Sequence, residues 1–207
     1  MIESTHHDGR PTVHCETAAE WRRWLRGHHT TSDGVWLIVW KQHTQRPTIP
    51  YPDTVDEALC FGWIDSRPNK LDDDRAMRWF SPRKPTSPWS RINKNKIAHL
   101  DAAGRLQPAG HALVATAKAN GAWTIYDEIE DLVIPDDLRQ RLDAAPIAAD
   151  HFSRFPDSSK KSILWWLKSA KTVPTRAKRL DTIVDRAGEN RMANHPKGRD
   201  AGPTHTN

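Results

Sequence analysis

The sequence predicts an α+β protein, with a small N-terminal part built on a short mixed or antiparallel sheet and a mainly helical C-terminal region. Three observations carry this expectation. Residues 35–40, Val-Trp-Leu-Ile-Val-Trp, form a β-branched and aromatic run that is too short for a helix. Residues 63–81 hold two extended segments around an acidic turn. From Ser87 onward, apolar residues recur at helical spacing between proline and glycine punctuation.

Taken in order, residues 1–14 are polar and read as a disordered N-terminal tail. An α+β core is expected over 15–126. It starts with a helix from Glu16 that places Ala18, Trp21, Leu25 and His28 on one stripe. The strand at 35–40 is apolar on both alternating faces, so it is expected to be covered on both sides. Pro47, Pro50 and Pro52 mark a loop through Asp53, after which Thr54 and Glu57 have capping-box spacing for a short helix ending near Gly62. A hairpin then spans 63–81, with Asp72, Asp73 and Asp74 at its turn.

Ser87-Pro88 reads as an N-cap followed by proline at the first helical position, for a helix carrying Trp89, Ile97 and Leu100 and stopped at Gly104. A second helix runs from Pro108 to Gly121. Residues 127–135 fall in a stretch dense in acids and read as an acidic connector. The helical region is placed at 136–188. It opens on Pro135-Asp136-Asp137, with a helix capped by Ser158 and another beginning at Pro174-Thr175. A disordered tail is expected over 189–207.

Composition narrows the function classes. No run approaches eighteen apolar residues, which gives no membrane-spanning helix. The start MIESTHHDGRP lacks a basic segment followed by an apolar one, and two cysteines fit a reducing compartment, so the cytoplasm is the expected location. Net charge is +5, but residues 151–207 hold twelve Lys/Arg against five Asp/Glu. A basic segment of this kind suits nucleic acid, so Lys160, Lys161, Lys168, Lys171, Arg176, Lys178 and Arg179 form one candidate surface for phosphates. A solvated helix face accounts for the same residues.

No phosphate-binding loop, dinucleotide fingerprint, zinc-protease motif or nucleophile elbow is present. Adjacent histidines such as His28-His29 diverge by roughly 100° on a helix, so no metal site and no cofactor are expected. Cys60 lies among Ala58, Leu59, Phe61 and Trp63, apolar surroundings that make a thiol inert. The most distinctive stretch is 81–94. There a basic loop, several hydroxyls and a helix start are packed together, a setting that favours an anion. Capping by Ser87 and core anchoring by Trp89 explain much of the same pattern.

Residues 57–66 (EALCFGWIDS), 80–85 (FSPRKP), 87–94 (SPWSRINK), 104–110 (GRLQPAG) and 169–180 (SAKTVPTRAKRL) resemble the YdeI/OmpD-associated family, over about Trp21 to Gly188. Leu106 stands where that family more often has Met, and Ser87-Pro88-Trp89 replaces its usual Ser-Asn-Trp. The resemblance implies a cytoplasmic bacteriocin-protection protein connected with stress and tolerance to cationic antimicrobial peptides, with no established reaction. It also implies a shared surface at Trp63, Asp65, Ser66, Arg83, Lys84, Ser87, Trp89, Ser90 and Asn93.

The expected function is therefore a non-enzymatic one, with a small anionic molecule or acidic protein segment bound in a Trp-lined polar groove. Asp65 and Arg83 would orient the ligand, and Trp63 or Trp89 would supply a stacking face. Nucleic-acid binding by the C-terminal helices is the alternative. A further alternative is an enzyme with Asp65 as base and Ser66 or Ser90 as nucleophile, which lacks the neighbouring histidine that usually activates serine.

Overall fold

The computed structural model describes residues 4–194, so residues 195–207 of the expected C-terminal tail lie outside the described residues. The chain divides into two compact units, one ending at Ile125 and the other starting at Tyr126.

The first unit contains a five-stranded sheet: β1 (Ser4–His7), β2 (Arg10–His14), β3 (Val35–Trp40), β4 (Trp63–Lys70) and β5 (Arg75–Pro82). Their order is β1-β2-β3-β5-β4, and the sheet is mixed, as expected: β2 runs parallel to β3 while the other neighbours are antiparallel. The parallel pair needs a crossover, which α1 (Ala18–His28) supplies. Thr17 and Glu20 form the capping box that starts this helix.

The N-terminal segment departs from its expected tail: residues 4–14 are a hairpin. Asp8 and Gly9 both have positive φ, at 50° and 72°, the backbone that a tight two-residue hairpin turn requires. Val13 pairs with Leu37 and is fully buried, which anchors the hairpin to the sheet.

Helix α2 (Tyr51–Cys60) also begins earlier than expected. Prolines are tolerated in a first turn because the N–H groups there have no helical acceptor, so Pro50 and Pro52 open the helix instead of preventing it. The expected capping box is not used. Thr54 donates its hydroxyl to the Tyr51 carbonyl, and Glu57 is taken by two arginines. Glu57 is only 5% exposed, and its two carboxylate oxygens each accept at 2.7 Å, from Arg22 Nη1 and Arg105 Nη2.

Helix α3 (Arg91–Ala102) is capped by Ser90, which accepts from the Asn93 N–H at 3.3 Å; Ser87 lies outside it. The Trp89 N–H donates to the Ala122 carbonyl at 3.2 Å, which holds residue 89 off the helical path. Helix α4 (Pro108–Ala119) follows, as the sequence predicts. It approaches α2 closely, since a Cβ on Gly110 would lie 2.5 Å from the Cys60 carbonyl oxygen. Only glycine admits that approach. Trp21, Leu25, Leu37, Leu59, Trp63, Phe80, Trp89 and Leu100 belong to the main core of this unit.

The second unit is helical: α5 (Asp127–Glu130), α6 (Asp136–Asp143), α7 (Pro146–Arg154), α8 (Asp157–Lys168) and α9 (Val173–Gly188). Leu138, Phe152, Ile163, Leu167, Leu180 and Ile183 lie in its core. The stretch read as a connector is part of this unit, because Ile129 is buried in that core while Glu128 and Glu130 bind lysines of α8. Helix α7 was not anticipated, and α8 starts behind Pro156, without a cap from Ser158. Ala193, inside the expected tail, is buried against the same core.

Candidate functional site

The sequence-predicted residues separate into distinct places. Asp65 lies on β4 with its carboxylate largely buried, and it accepts from the Tyr51 hydroxyl and from Arg78 Nη1, each at 3.0 Å. The Arg78 guanidinium in turn stacks 4.2 Å above the Tyr51 ring. Burial and the Asp65 carboxylate hold the Tyr51 phenol above its ordinary pKa. Tyr51 and Arg78 border a mainly apolar pocket of about 210 Å³ that also touches Leu37, Val39, Ile49 and Phe80. Ser66 is exposed at the next strand position. The pairing with β5 shifts register between Asp65 and Pro68, and the Asp65 carboxylate is engaged by Tyr51 and Arg78.

Trp63 offers no stacking face. It is 1% exposed, donates its indole N–H to the His29 carbonyl at 3.1 Å and meets Trp24 edge-on. The β4 backbone aims it inward because it opens that strand straight after Gly62, whose φ of +75° turns the chain out of α2.

Around the start of α3 the residues do converge. The Arg83 N–H donates to the Gly62 carbonyl at 2.9 Å, and its guanidinium donates from Nη2 to the Pro88 carbonyl. That guanidinium lies 4.1 Å from the centre of the Trp89 ring. Arg83 is only 7% exposed, and among the described residues it has no carboxylate within ion-pair distance and no acceptor for its buried Nε. Burial pulls its pKa down to about 10. The Trp89 indole N–H is likewise buried without an acceptor. Two unspent donors beside a buried cation are a costly arrangement unless an anion or water completes it.

Trp89 is itself 1% exposed, so its role as an open stacking wall is corrected: one neighbour on its face is Arg83 and another is Trp123, 5.0 Å away. Trp123 is only half-buried, and both Lys94 Nζ (5.5 Å) and Lys118 Nζ (5.3 Å) sit over its ring. Trp123 and the two lysines line a pocket of about 370 Å³ between α3 and α4, together with Leu106, His111 and Asp101. His111 and Asp101 face each other there at 3.8 Å. Lys84 is exposed, Ser87 is half-buried, and Ser90 with Asn93 is occupied by the helix cap.

Sequence reasoning missed Trp123, Lys118 and His111. Lys118 and Trp123 flank the end of α4, and no local spacing joins them to residues 83–94. The Trp123 N–H, bound to the Ala117 carbonyl at 3.0 Å, folds the indole back over that helix end. Both cysteines are buried, and burial pushes the Cys15 thiol up to about 12 and raises that of Cys60 as well, which keeps them protonated.

The C-terminal cations are arranged differently. Lys161 binds Glu130 at 2.6 Å, Lys168 binds Glu128 at 2.7 Å, Arg176 binds Asp137 at 2.6 Å, and Lys160 reaches Asp157 at 3.8 Å. Arg179 stacks on Trp166 and donates to Ser169 Oγ. Lys171 and Lys178 have no carboxylate within ion-pair distance among the described residues. Residues 126–207 hold fourteen Lys/Arg against thirteen Asp/Glu, a balance of +1, while residues 1–125 hold seventeen against thirteen, a balance of +4. The excess positive charge therefore belongs to the first unit. Among the described residues no helix is long and apolar enough to cross a membrane.

The architecture is thus that of an α+β unit bearing a stack of cations and indoles, followed by a separate all-helical unit. Residues 131–190, nearly all of the helical unit up to its last helix, match the family described as bacteriocin-protection, YdeI or OmpD-associated. Residues 13–113 match a domain of unknown function, DUF8412. The family-like stretches at 57–110 fall in this first match and the closing stretch at 169–180 in the second. Neither the curated proteins nor the solved structures give a match to this chain.

Proposed function

We propose that this protein is a cytoplasmic tolerance protein of the bacteriocin-protection type whose first unit binds a small anionic molecule beside the Arg83–Trp89–Trp123 stack. The family match of the helical unit supports the general role. One observation carries the ligand class: a buried guanidinium without a carboxylate partner among the described residues is continuous, through two adjoining indoles tilted to each other, with two lysines at the edge of an open pocket. The pocket admits a molecule of a few heavy-atom groups. Trp123 offers it a flat surface, and Lys118 offers it positive charge. No reaction is required by this reading, because Asp101 and His111 are the remaining polar groups of the lining and they face one another.

The experiment is a titration of the full chain with pyrophosphate, citrate and aromatic carboxylates, followed by tryptophan fluorescence and calorimetry. Lys118→Ala is expected to weaken the best ligand about tenfold or more, the worth of one charge-assisted contact. Arg83→Lys, which keeps the charge but loses the planar stack, is expected to weaken it less. Absence of binding by every anion class, or binding indifferent to both substitutions, overturns the proposal.

A further inference from the structure

We infer that the sheet face pointing away from the helices of the first unit binds single-stranded nucleic acid, a site separate from the anion pocket and from the basic C-terminal helices. Side chains alternate along a strand, so Trp36, Ile38 and Trp40 of β3 share one face. The antiparallel register sets Trp79, Met77 and Arg75 of β5 directly opposite them. Trp36, Ile38 and Met77 form their own buried cluster, joined by Trp79 and Leu71, and no helix residue belongs to it. Trp36 to Trp40 spans about 13 Å along the strand.

What covers these indoles is positive charge. Arg67 lies over Trp36 at 5.5 Å, Arg10 over Trp79 at 5.0 Å, and Arg46 over Trp40 at 4.3 Å. Arg75 also reaches Trp40, at 5.8 Å. His7 and His14 meet Trp36 and Trp40 edge-on. The carboxylates in this region already have partners of their own: Asp72 holds Arg75, Asp73 holds Lys70, Asp74 holds His43, Asp8 holds His7, and Glu16 accepts the Trp40 indole N–H. Arg10, Arg46 and Arg67 are exposed and have no carboxylate within ion-pair distance among the described residues.

A partner for this face must bring regularly spaced negative charge and flat apolar rings together. A single strand does so: its phosphates draw the three guanidinium groups off the indoles, and its bases replace them on Trp40 and Trp79, which are only half-buried. Trp36 forms the floor beneath, and its indole N–H is buried without an acceptor. A duplex keeps its ring faces inside its own stack, and it offers the indoles nothing to stack on. An acidic protein segment supplies charge without the rings.

The test is fluorescence anisotropy of the full chain with a labelled oligothymidylate of about 20 nucleotides at about 25 mM salt, with indole quenching read in parallel. Arg10→Glu/Arg46→Glu/Arg67→Glu is expected to weaken binding at least thirtyfold and to lower the salt slope by about 2, the value for three phosphates on a single strand. Lys171→Glu/Lys178→Glu is expected to leave binding within about twofold, because those residues lie in the other unit. These arginines are exposed, so the variants keep the wild-type circular dichroism. Quenching in the wild-type chain needs no variant at all. No binding at low salt, binding without indole quenching, equal affinity for duplex, or loss of binding only in the Lys171/Lys178 variant each overturns the inference.

Discussion

In the first unit the guanidinium groups of Arg10, Arg46, Arg67 and Arg83 rest on indoles with no carboxylate in reach among the described residues. In the second unit Lys161, Lys168, Arg176, Arg141 and Arg154 are each bound to an acid of that same unit. Both units are rich in Lys and Arg, but in the second most of these cations are taken up by acids, with Lys171, Lys178 and Arg179 as exceptions among the described residues. The difference follows from where the acids lie. Asp127 to Asp137 supplies the helical unit with carboxylates of its own, and Glu128, Glu130 and Asp137 take up α8 and α9 cations. An indole neutralises nothing: it stabilises a cation by about 0.5–2 kcal/mol while leaving its charge available to a partner. A cation that rests on an indole thus keeps a charge that one paired with a carboxylate does not.

Three substitutions break or sharpen that comparison. The largest effect is expected from Trp63→Ala, which empties a fully buried indole site in the first unit and removes the N–H bond to His29. A loss of about 3–5 kcal/mol is expected in denaturant-induced unfolding. A loss below about 1 kcal/mol would mean that the indole is not the packed core element described.

Next comes Glu57→Gln, directed at a carboxylate that pairs two cations in the interior of the first unit. The amide leaves Arg22 and Arg105 without their shared anion. The expected cost is about 2–3 kcal/mol, below the figure for a fully dry pair because both arginines retain some solvent. Equal stability of the two proteins would show that the buried carboxylate contributes no more than a surface ion pair.

The smallest effect is expected in the second unit. Arg176 holds the Asp137 carboxyl below its ordinary pKa, chiefly by donating hydrogen bonds to it. A depressed folded pKa contributes stability that is present above the unfolded value, about pH 4, and is lost as pH falls through the folded value. Arg176→Ala should therefore cost at most about 1 kcal/mol near neutrality, since both partners are partly solvated, and should flatten the acid loss below pH 4. The measurement is unfolding free energy across pH 2–7 for both proteins, and an unchanged acid slope would contradict the assignment.

Much of the fold was legible locally. The β-branched run at 35–40 is a central strand, 63–82 is a hairpin, and glycines at 104 and 121 follow helix ends. The early hairpin was missed because its strands are polar, although Asp8-Gly9 is itself a turn signal. Among the site residues, Arg83, Trp89, Ser90 and Asn93 lie in one neighbourhood, whereas Trp63 and Asp65 face other groups and Ser66 is exposed. Trp123 and Lys118 carried no signal, since the contact of Trp123 with Trp89 and of Lys118 with Trp123 depends on how the chain returns after α4.

By itself the sequence determined the class of each part, because helical and strand periodicities and their caps act over a few residues at a time. It also determined that the chain carries more indoles than other aromatics, ten Trp against four Phe and two Tyr. Only the tertiary structure decided which indoles are core and which carry cations. Burial and charge pairing are long-range properties: Trp63 vanishes into the interior, while Trp36, Trp40 and Trp79 align across two strands beneath arginines from three separate segments. The same holds for charge. A boundary at residue 126 gives the acids to the helical unit and leaves the first unit the more basic one, reversing what the linear distribution suggests.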